Sequence, residues 1–162
     1  MRLERMKEEH IKAIQHIART TWAYTYEGII PEHIQCNFLN HAYSDEMMQR
    51  RLKTHLFVVL VENEVIGFAN YSNVKENGAV ELAAIYILPS HQGKGVGSLL
   101  LKEGENLQGA LFIECNVEKE NRIGLNFYLA KGFQQVDEFE DLFDGHPLQT
   151  IRLRKEIKAT KS

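Results

Sequence analysis

Residues 79–101 form the most informative stretch of this chain, with the sequence AVELAAIYILPSHQGKGVGSLLL. The β-branched and aliphatic first half predicts a buried strand, which Pro89 ends because proline cannot donate to a strand ladder. A glycine-rich turn follows and leads into an aliphatic helix. This order of strand, turn and helix directs free backbone N–H groups and the positive end of a helix towards an anion, usually a phosphate.

The overall composition is that of a globular protein. The chain has 162 residues, 44% of them hydrophobic and 25% charged, and we expect one domain over 1–157 with a disordered tail at 158–162. A net charge of −3 argues against nucleic acid as a partner. Two cysteines and seven scattered histidines provide no disulfide framework and no metal-ligand spacing. We find no signal peptide or membrane-spanning apolar run, so we expect a cytoplasmic protein without a membrane partner.

The first third of the chain has helical periodicity. Ile11, Ile14, Ala18 and Trp22 recur at intervals of three or four residues, which predicts a helix with one apolar face. Two shorter helices are predicted after it, the second capped by Ser44. The N-terminal third therefore predicts helices that pack against a sheet formed by the rest of the chain.

The remaining two thirds predict an α/β fold with a mixed sheet. Three apolar runs separated by polar turns form an antiparallel meander, and a helix then connects the third run to a parallel strand. A further helix ends at Gly132, and two strands complete the chain. The predicted ranges are 55–61, 65–72 and 79–88 for the meander, 95–107 for the connecting helix, 110–117 for the parallel strand, 121–131 for the next helix, and 133–143 and 148–154 for the last strands.

The glycine-rich turn fits one phosphate-binding pattern better than two others. No P-loop string GxxxxGK[ST] occurs, and the dinucleotide pattern GxGxxG is interrupted in both registers. Glu114 lies about 20 residues further on, where a dinucleotide fold places its ribose-binding acid, so that alternative stays open. The pattern [RQ]xxGx[GA] is satisfied by Gln92, Gly95 and Gly97. A glycine-rich connection without a ligand is the remaining alternative.

Two motifs resemble the GCN5-related N-acetyltransferases, a superfamily that transfers an acetyl group from acetyl-coenzyme A to an amine. Residues 81–89, with the pattern ELxxIYIxP, resemble the central strand of that family. Residues 121–133 resemble its later motif, in which an asparagine opens a helix and YxxxGF closes it. The order of predicted elements matches over residues 2–154. The resemblance implies the acyl-coenzyme A N-acyltransferase fold, with six or seven strands and helices on both faces of the sheet.

The resemblance also implies where acetyl-coenzyme A binds. In that family the central strand and the next parallel strand separate, and the pantetheine arm lies between them against strand backbone. The pyrophosphate would lie on the N–H groups of the glycine-rich turn, and an asparagine would hydrogen-bond the coenzyme arm. The residues implied as donor-binding are Ile85, Tyr86, Ile87, Gln92, Gly93, Lys94, Gly95, Val96, Gly97, Asn121 and Tyr128.

Two residues are candidates for proton transfer. The resemblance implies that the Tyr128 hydroxyl protonates the leaving thiolate, and the alternative is a core aromatic residue. Glu81 is the candidate base, because a carboxylate in an otherwise apolar strand is costly to bury unless it is paired or functional. Its alternative is a solvent-facing residue at the start of a strand. No Ser-His or His-Cys arrangement appears, so direct transfer in a ternary complex is favoured over an acetyl-enzyme.

The acceptor is less well defined by the sequence. In the family fold, the N-terminal helices and the loop between the last two strands line the acceptor groove. Here these segments contribute Trp22, Tyr24, Tyr26, Glu27 and the acidic stretch 137–144. Negative charge at the groove would attract a cationic amine such as a polyamine, and a solvated acidic surface is the alternative. We therefore expect an N-acetyltransferase for a small primary amine.

Three other functions stay open at this point. A protein N-terminus or lysine could replace the small amine as acceptor, and the chain could bind coenzyme A without turnover. A nicotinamide-dependent oxidoreductase is the third, although an antiparallel meander before the glycine-rich turn argues against it. A homodimer is compatible with the chain, but no feature of the sequence supports one.

Overall fold

A seven-stranded mixed sheet forms the centre of the protein, whose residues 1–157 are described by a computed structural model. The predicted tail at 158–162 lies outside the described residues. The strands are β1 (Arg2–Arg5), β2 (His55–Val61), β3 (Glu64–Tyr71), β4 (Ala79–Ile87), β5 (Phe112–Glu118), β6 (Gln134–Phe143) and β7 (His146–Glu156). Their order across the sheet is β1-β2-β3-β4-β5-β7-β6.

Helices cover both faces of this sheet, which confirms the predicted architecture. Within residues 1–157 the α-helices are α1 (Ile11–Tyr26), α2 (Glu32–Ala42), α3 (Asp45–Arg51), α4 (Val96–Glu105) and α5 (Arg122–Ala130). The first three pack on one side, called the α1 face below, and the other two pack on the opposite side, called the α4 face. None of these helices is long and apolar enough to cross a bilayer.

The apolar periodicity of α1 is explained by burial against the sheet. Ile14 and Ala18 are completely inaccessible and Trp22 is buried, as the spacing predicted. On the α4 face, Leu100 and Ile113 are likewise completely buried. Burying an aliphatic side chain of this size stabilises a fold by about 1.5–3 kcal/mol, so the two helical layers hold the sheet from both sides.

The predicted strand pairing is confirmed, whereas the last hairpin differs from the prediction. Strands β2, β3 and β4 form the antiparallel meander, and β4 and β5 are parallel. The turn between β6 and β7 contains only Asp144 and Gly145, both with positive φ, and His146 and Pro147 already belong to β7. Pro147 is tolerated there because β7 has only β6 as a neighbour at this end.

Strands β4 and β5 separate soon after they meet. The parallel pairing joins only Ala79, Val80 and Glu81 to 112–114. Beyond these residues β4 continues along β3, and β5 continues along β7. The sheet therefore opens between its two central strands, as the family resemblance implied.

A bulge at Ala83 changes which side chains of β4 face each side. Its neighbours Leu82 and Ala84 pair with consecutive residues of β3, so Ala83 has no partner there. Leu82 packs on the α4 face, whereas Ala84 and Tyr86 pack on the α1 face. Because side chains alternate along a strand, Glu81 lies on the α1 face with Tyr86 instead of opposite to it.

Candidate active site

A cleft of about 640 Å³ opens where β4 and β5 separate. Residues 82–87 of β4, together with Asn116 and Val117 of β5, form its floor. The last turns of α1 form one wall, and the glycine-rich turn and α5 form the other. Its volume lies in the range of about 300–1,000 Å³ that is usual for small-molecule sites.

The glycine-rich turn presents free backbone N–H groups to this cleft. Gly93 and Gly95 have φ values of +76° and +85°, and a Cβ on either would meet no atom within 4 Å. Among the residues described, the N–H groups of 93–98 donate no hydrogen bond. The Gln92 side chain donates to the Ile87 carbonyl over 3.1 Å, which ties the turn to the end of β4. Such a turn at a helix start is suited to binding an anion.

The other residues of the turn have different surroundings. Lys94 is exposed and does not line the cleft, whereas the Val96 side chain is buried in the core. A Cβ on Gly97 would lie 2.7 Å from the Phe127 ring, so glycine allows α4 and α5 to approach closely. Only the backbone of Val96 and Gly97 is therefore available to a ligand.

Asn121 and Tyr128 both line the cleft from α5. Asn121 caps this helix, because its Oδ1 accepts a hydrogen bond from the Gly124 N–H over 3.0 Å. Tyr128 is buried, and this burial raises the pKa of its hydroxyl well above the ordinary value, with the Cys115 thiol beside it. Burial therefore favours the neutral form of the Tyr128 hydroxyl.

Aromatic side chains form the wall on the α1 side. The Trp22 indole N–H donates to the Tyr86 hydroxyl over 2.8 Å, and the Trp22 ring lies 4.6 Å from that of Tyr26. Tyr24 also lines the cleft and is mostly exposed. Glu27, by contrast, lines a separate cavity between α1 and α2. The structure thus places three of the four predicted groove residues of α1 at the cleft.

Glu81 does not line the cleft and is held in an ion pair instead. Its two carboxylate oxygens each accept a hydrogen bond from Arg152 over 2.7 Å. Arg152 also donates to Glu114, which accepts from Arg154 as well. Both oxygens of the Glu81 carboxylate are thus engaged by one guanidinium, the bidentate geometry that is typical of strong charge-assisted pairs. The structure places the predicted base outside the lining of the cleft and paired with Arg152, and its catalytic role stays a prediction.

The acidic stretch 137–144 lies away from the cleft, along strand β6 and its turn. Glu138 accepts hydrogen bonds from Lys119 over 3.1 Å and from Gln149 over 2.8 Å. Asp144 lies 3.4 Å from the Asn37 amide. This stretch provides no negative charge to the lining of the cleft.

Two residues of this region were missed by the sequence analysis. Arg152 is 71 positions from Glu81, and no local pattern links the two. Glu118 ends β5 as a buried carboxylate, although a carboxylate at a strand end is usually exposed. Within residues 1–157, no group of three or more His, Cys, Asp or Glu side chains is placed to hold a metal ion.

Comparison with known protein families agrees with the open sheet and the glycine-rich turn. The family model described as "Acetyltransferase (GNAT) family" matches residues 12–133. The chain belongs to the GNAT acetyltransferase family. As a GNAT enzyme it uses acetyl-coenzyme A as the donor for N-acetyl transfer, which confirms the activity and the donor predicted from the sequence.

Individual relatives of this GNAT enzyme are distant. It is 26% identical over 145 residues to the spermidine N(1)-acetyltransferase of Thermoplasma acidophilum, covering 83% of this chain and 89% of that one. It is 34% identical over 102 residues to the uncharacterized N-acetyltransferase YuaI of Bacillus subtilis, covering 60% and 58%. The structure of the PaiA N-acetyltransferase from Thermoplasma acidophilum, in complex with coenzyme A, aligns with a TM-score of 0.82 at 22% identity, covering 96% and 98%. This likeness shows the shared fold.

Proposed function

We propose that this enzyme acetylates a primary amine of a small cationic molecule by direct attack within a ternary complex. One observation carries the proposal: a single cleft joins the open glycine-rich turn to the aromatic wall of α1 through the gap in the sheet. A donor on the turn and an acceptor against α1 would therefore meet at the gap. No covalent enzyme intermediate is required by this arrangement.

The donor side supports binding of acetyl-coenzyme A. In our proposal the N–H groups of Gly93–Gly97 hold the pyrophosphate, and the positive end of α4 adds to this attraction. The side chains of Arg122 and Lys131, which also line the cleft, supply positive charge near the same wall. The backbone of 85–87 orients the thioester arm between β4 and β5, and the Asn121 amide contacts that arm.

Tyr128 is proposed as the acid that completes the transfer. The amine nitrogen forms a bond to the thioester carbonyl carbon, and the carbon–sulfur bond breaks. The Tyr128 hydroxyl gives its proton to the departing sulfur and then recovers one from solvent. Burial raises the pKa of this phenol, so the hydroxyl carries its proton when the thioester binds.

The acceptor class rests on the aromatic wall and on the relatives. Trp22, Tyr26 and Tyr86 present ring faces and hydroxyls on the α1 side of the gap, and aromatic faces attract ammonium groups. Glu120 is the acidic residue among the described residues that line the cleft. The Thermoplasma acidophilum relative is named for spermidine. A polyamine or a similar small amine is therefore the acceptor that we propose.

Thermal unfolding with acetyl-coenzyme A, coenzyme A or NAD(H) tests the donor site. A ligand that binds only the folded state adds about 2.7 kcal/mol at roughly 100 times its dissociation constant. We expect the melting temperature to rise with the two coenzyme A species only. A rise with NAD(H) alone would contradict the proposal.

An acceptor panel with detection of the released thiol tests the reaction. The panel contains spermidine, putrescine, an aminoglycoside, a peptide with a free N-terminus and a peptide with an internal lysine. We expect thiol release to be fastest with the polyamines. Faster release with a peptide would indicate a protein acceptor, and coenzyme A binding without thiol release from any amine would indicate a binding module.

A further inference from the structure

The side chain of Tyr86 carries a hydroxyl group to which neither the donor site nor the family resemblance assigns a role. The resemblance concerns only the backbone of 85–87, whereas the Tyr86 ring packs on the α1 face because of the bulge at Ala83. Tyr86 and Trp22 both line the cleft, and residues 82–87 form its floor. The Tyr86 side chain therefore lies on the α1 side of the gap in the sheet.

The hydrogen bond between Trp22 and Tyr86 leaves the Tyr86 proton without a partner. The Trp22 indole N–H donates to the Tyr86 oxygen over 2.8 Å, and an indole can only donate. Burial raises the pKa of Tyr86, whereas hydrogen bonding by the Trp22 and Tyr43 side chains lowers it, so both neighbours donate towards the phenol oxygen. Within residues 1–157 the Tyr86 hydroxyl itself donates to no protein group. Because a half-buried donor without an acceptor is costly, this proton is suited to a ligand in the cleft.

Packing holds both side chains in place before a ligand binds. The buried Trp22 ring stacks on the Phe38 ring with centroids 4.5 Å apart, and it lies 5.8 Å from the Phe143 ring. The Tyr86 ring meets the buried Phe68 ring edge to face at 5.5 Å. Close packing of this kind restricts both rings, and the indole N–H restricts rotation of the Tyr86 hydroxyl. The hydroxyl is therefore a preorganised donor.

The chemistry of the two substrates identifies the atom that can accept this hydrogen bond. A protonated amine has no lone pair, and a neutral amine needs its lone pair to attack the thioester. The thioester carbonyl oxygen has two lone pairs, and it becomes negative as the carbon–nitrogen bond forms. In the proposed function the thioester arm lies against the backbone of 85–87, the segment that carries the Tyr86 side chain.

We propose that the Tyr86 hydroxyl, oriented by the Trp22 indole, donates a hydrogen bond to the thioester carbonyl oxygen and stabilises its negative charge during acetyl transfer. This inference rests on the proposed function. The neutral amine nitrogen bonds to the carbonyl carbon, and an electron pair moves to the carbonyl oxygen, while the Tyr86 proton stays on the phenol. The carbonyl double bond re-forms as the carbon–sulfur bond breaks. The sulfur takes its proton from Tyr128, and the nitrogen releases one proton to solvent.

The first test does not depend on turnover. Acetyl-coenzyme A labelled with 13C at the acetyl carbonyl is bound without an amine, and isotope-edited infrared spectroscopy measures its carbonyl stretch. Because a hydrogen bond weakens the carbonyl bond, we expect a lower frequency on wild type than on Tyr86→Phe, with Trp22→Phe between them. Tyr71→Phe is the matched control. It removes a buried phenol hydroxyl that donates to the Leu100 carbonyl over 2.9 Å on the α4 face, so the wild-type frequency should be kept.

Steady-state kinetics with thiol detection provide the second test. We expect Tyr86→Phe to lower kcat about 100-fold, because one oxyanion donor contributes roughly 10²–10³-fold, and KM for acetyl-coenzyme A to stay within about twofold. Trp22 is a positioning residue, so Trp22→Phe should lower kcat only about tenfold and the double variant should lose no more than Tyr86→Phe. Circular dichroism and the melting temperature check that each variant is folded.

Three results would contradict the inference. One is a carbonyl frequency on Tyr86→Phe that equals the wild-type value, and another is an equal frequency change on Tyr71→Phe. The third is an additive loss of kcat in the double variant, which would show that Trp22 does not act through Tyr86. Failure of the proposed function is distinct, since wild-type protein would then bind no acetyl-coenzyme A or release no thiol with any amine.

Discussion

Burial determines the chemistry of Tyr128. Its ring lies between those of Phe127 and Phe133, with centroids 5.5 and 5.3 Å away, and its hydroxyl lies beside the Cys115 thiol. The same surroundings suit a core aromatic residue. The sequence alone therefore left two interpretations of Tyr128, a general acid or a packed core side chain. The place of Tyr128 in the lining of the cleft favours the acid.

Replacing Tyr128 with phenylalanine separates these two interpretations. If the hydroxyl protonates sulfur, Tyr128→Phe should lower kcat about 100-fold, because general acid catalysis contributes roughly 10²–10⁴-fold. KM for acetyl-coenzyme A and the melting temperature should change little, since the ring and its packing are kept. Steady-state kinetics with thiol detection measure the effect, and an unchanged kcat would leave Tyr128 as a core residue.

Glu81 and Arg152 form a partly buried ion pair, so removing either charge leaves the other without its partner. Glu81→Gln should lower the free energy of unfolding by about 1–2 kcal/mol. Hydrogen bonds between charged groups usually contribute somewhat more than this, but the pair is partly exposed to solvent, which weakens it. It should lower kcat/KM less than tenfold and leave its pH profile unchanged. Urea titration and kinetics measure the two effects, and a loss of about 100-fold in kcat/KM would support Glu81 as the base.

Arg152→Gln provides the complementary variant for the same pair. It leaves Glu81 and Glu114 side by side without their shared cation, so it should destabilise the protein more than Glu81→Gln does. The double variant Glu81→Gln with Arg152→Gln should regain part of this loss. Full additivity of the two single effects would contradict the coupling.

The start of helix α4 is the element on which the proposed donor binding depends. Gly95 precedes the helix with φ of +85°, a conformation that costs an L-residue about 1–2 kcal/mol. Gly109 has φ of +83° outside the cleft, where a Cβ would meet only an ordinary contact with Val74 at 3.8 Å. The two glycines therefore carry the same strain, but only one of them borders the proposed phosphate site.

Gly95→Ala and Gly109→Ala form a matched pair for this element. Both variants should lose about 1–2 kcal/mol of stability in urea titrations. Only Gly95→Ala should weaken binding of coenzyme A, by about tenfold or more in calorimetric titrations, because relaxing its φ redirects the N–H groups at the helix start. Equal binding by the two variants would argue against phosphate binding at the turn.

At the scale of the whole molecule, five of the six tyrosines share one property. Burial raises the pKa of Tyr26, Tyr43, Tyr71, Tyr86 and Tyr128 above the ordinary value of 10.0. Above that value the unfolded chain loses these protons while the folded protein keeps them. The folded state then binds more protons, so the free energy of unfolding falls as pH rises.

We therefore expect the protein to unfold at alkaline pH in one transition that coincides with ionisation of the buried tyrosines. Below pH 10.0 these tyrosines are protonated in both states and do not lower the free energy of unfolding. Above pH 10.0 each of them can lower it by up to about 1.4 kcal/mol per pH unit. We expect phenolate absorbance to rise together with the loss of the helical circular dichroism signal. Ionisation of all six tyrosines with a retained native signal would contradict this expectation.

Local patterns in the sequence determined the strands, helices and glycine-rich turn around the proposed donor site. The aliphatic run that ends at Pro89, the three glycines after it and the stop at Gly132 each act within a few residues, so they predict strand, turn and helix directly. Asn121 and Tyr128, two turns apart on one helix, were correctly expected on the same face. These features need no knowledge of the remaining chain.

Contacts between distant segments were decided only by the tertiary structure. A two-residue alternation cannot reveal the bulge at Ala83, which depends on pairing with β3 and turns Glu81 to the α1 face. The ion pair of Glu81 with Arg152 and the hydrogen bond of Trp22 with Tyr86 join segments far apart in the chain. Burial and charge pairing depend on which segments meet. The sequence therefore predicted where a donor would bind, whereas only the folded sheet showed that Glu81 is paired with Arg152.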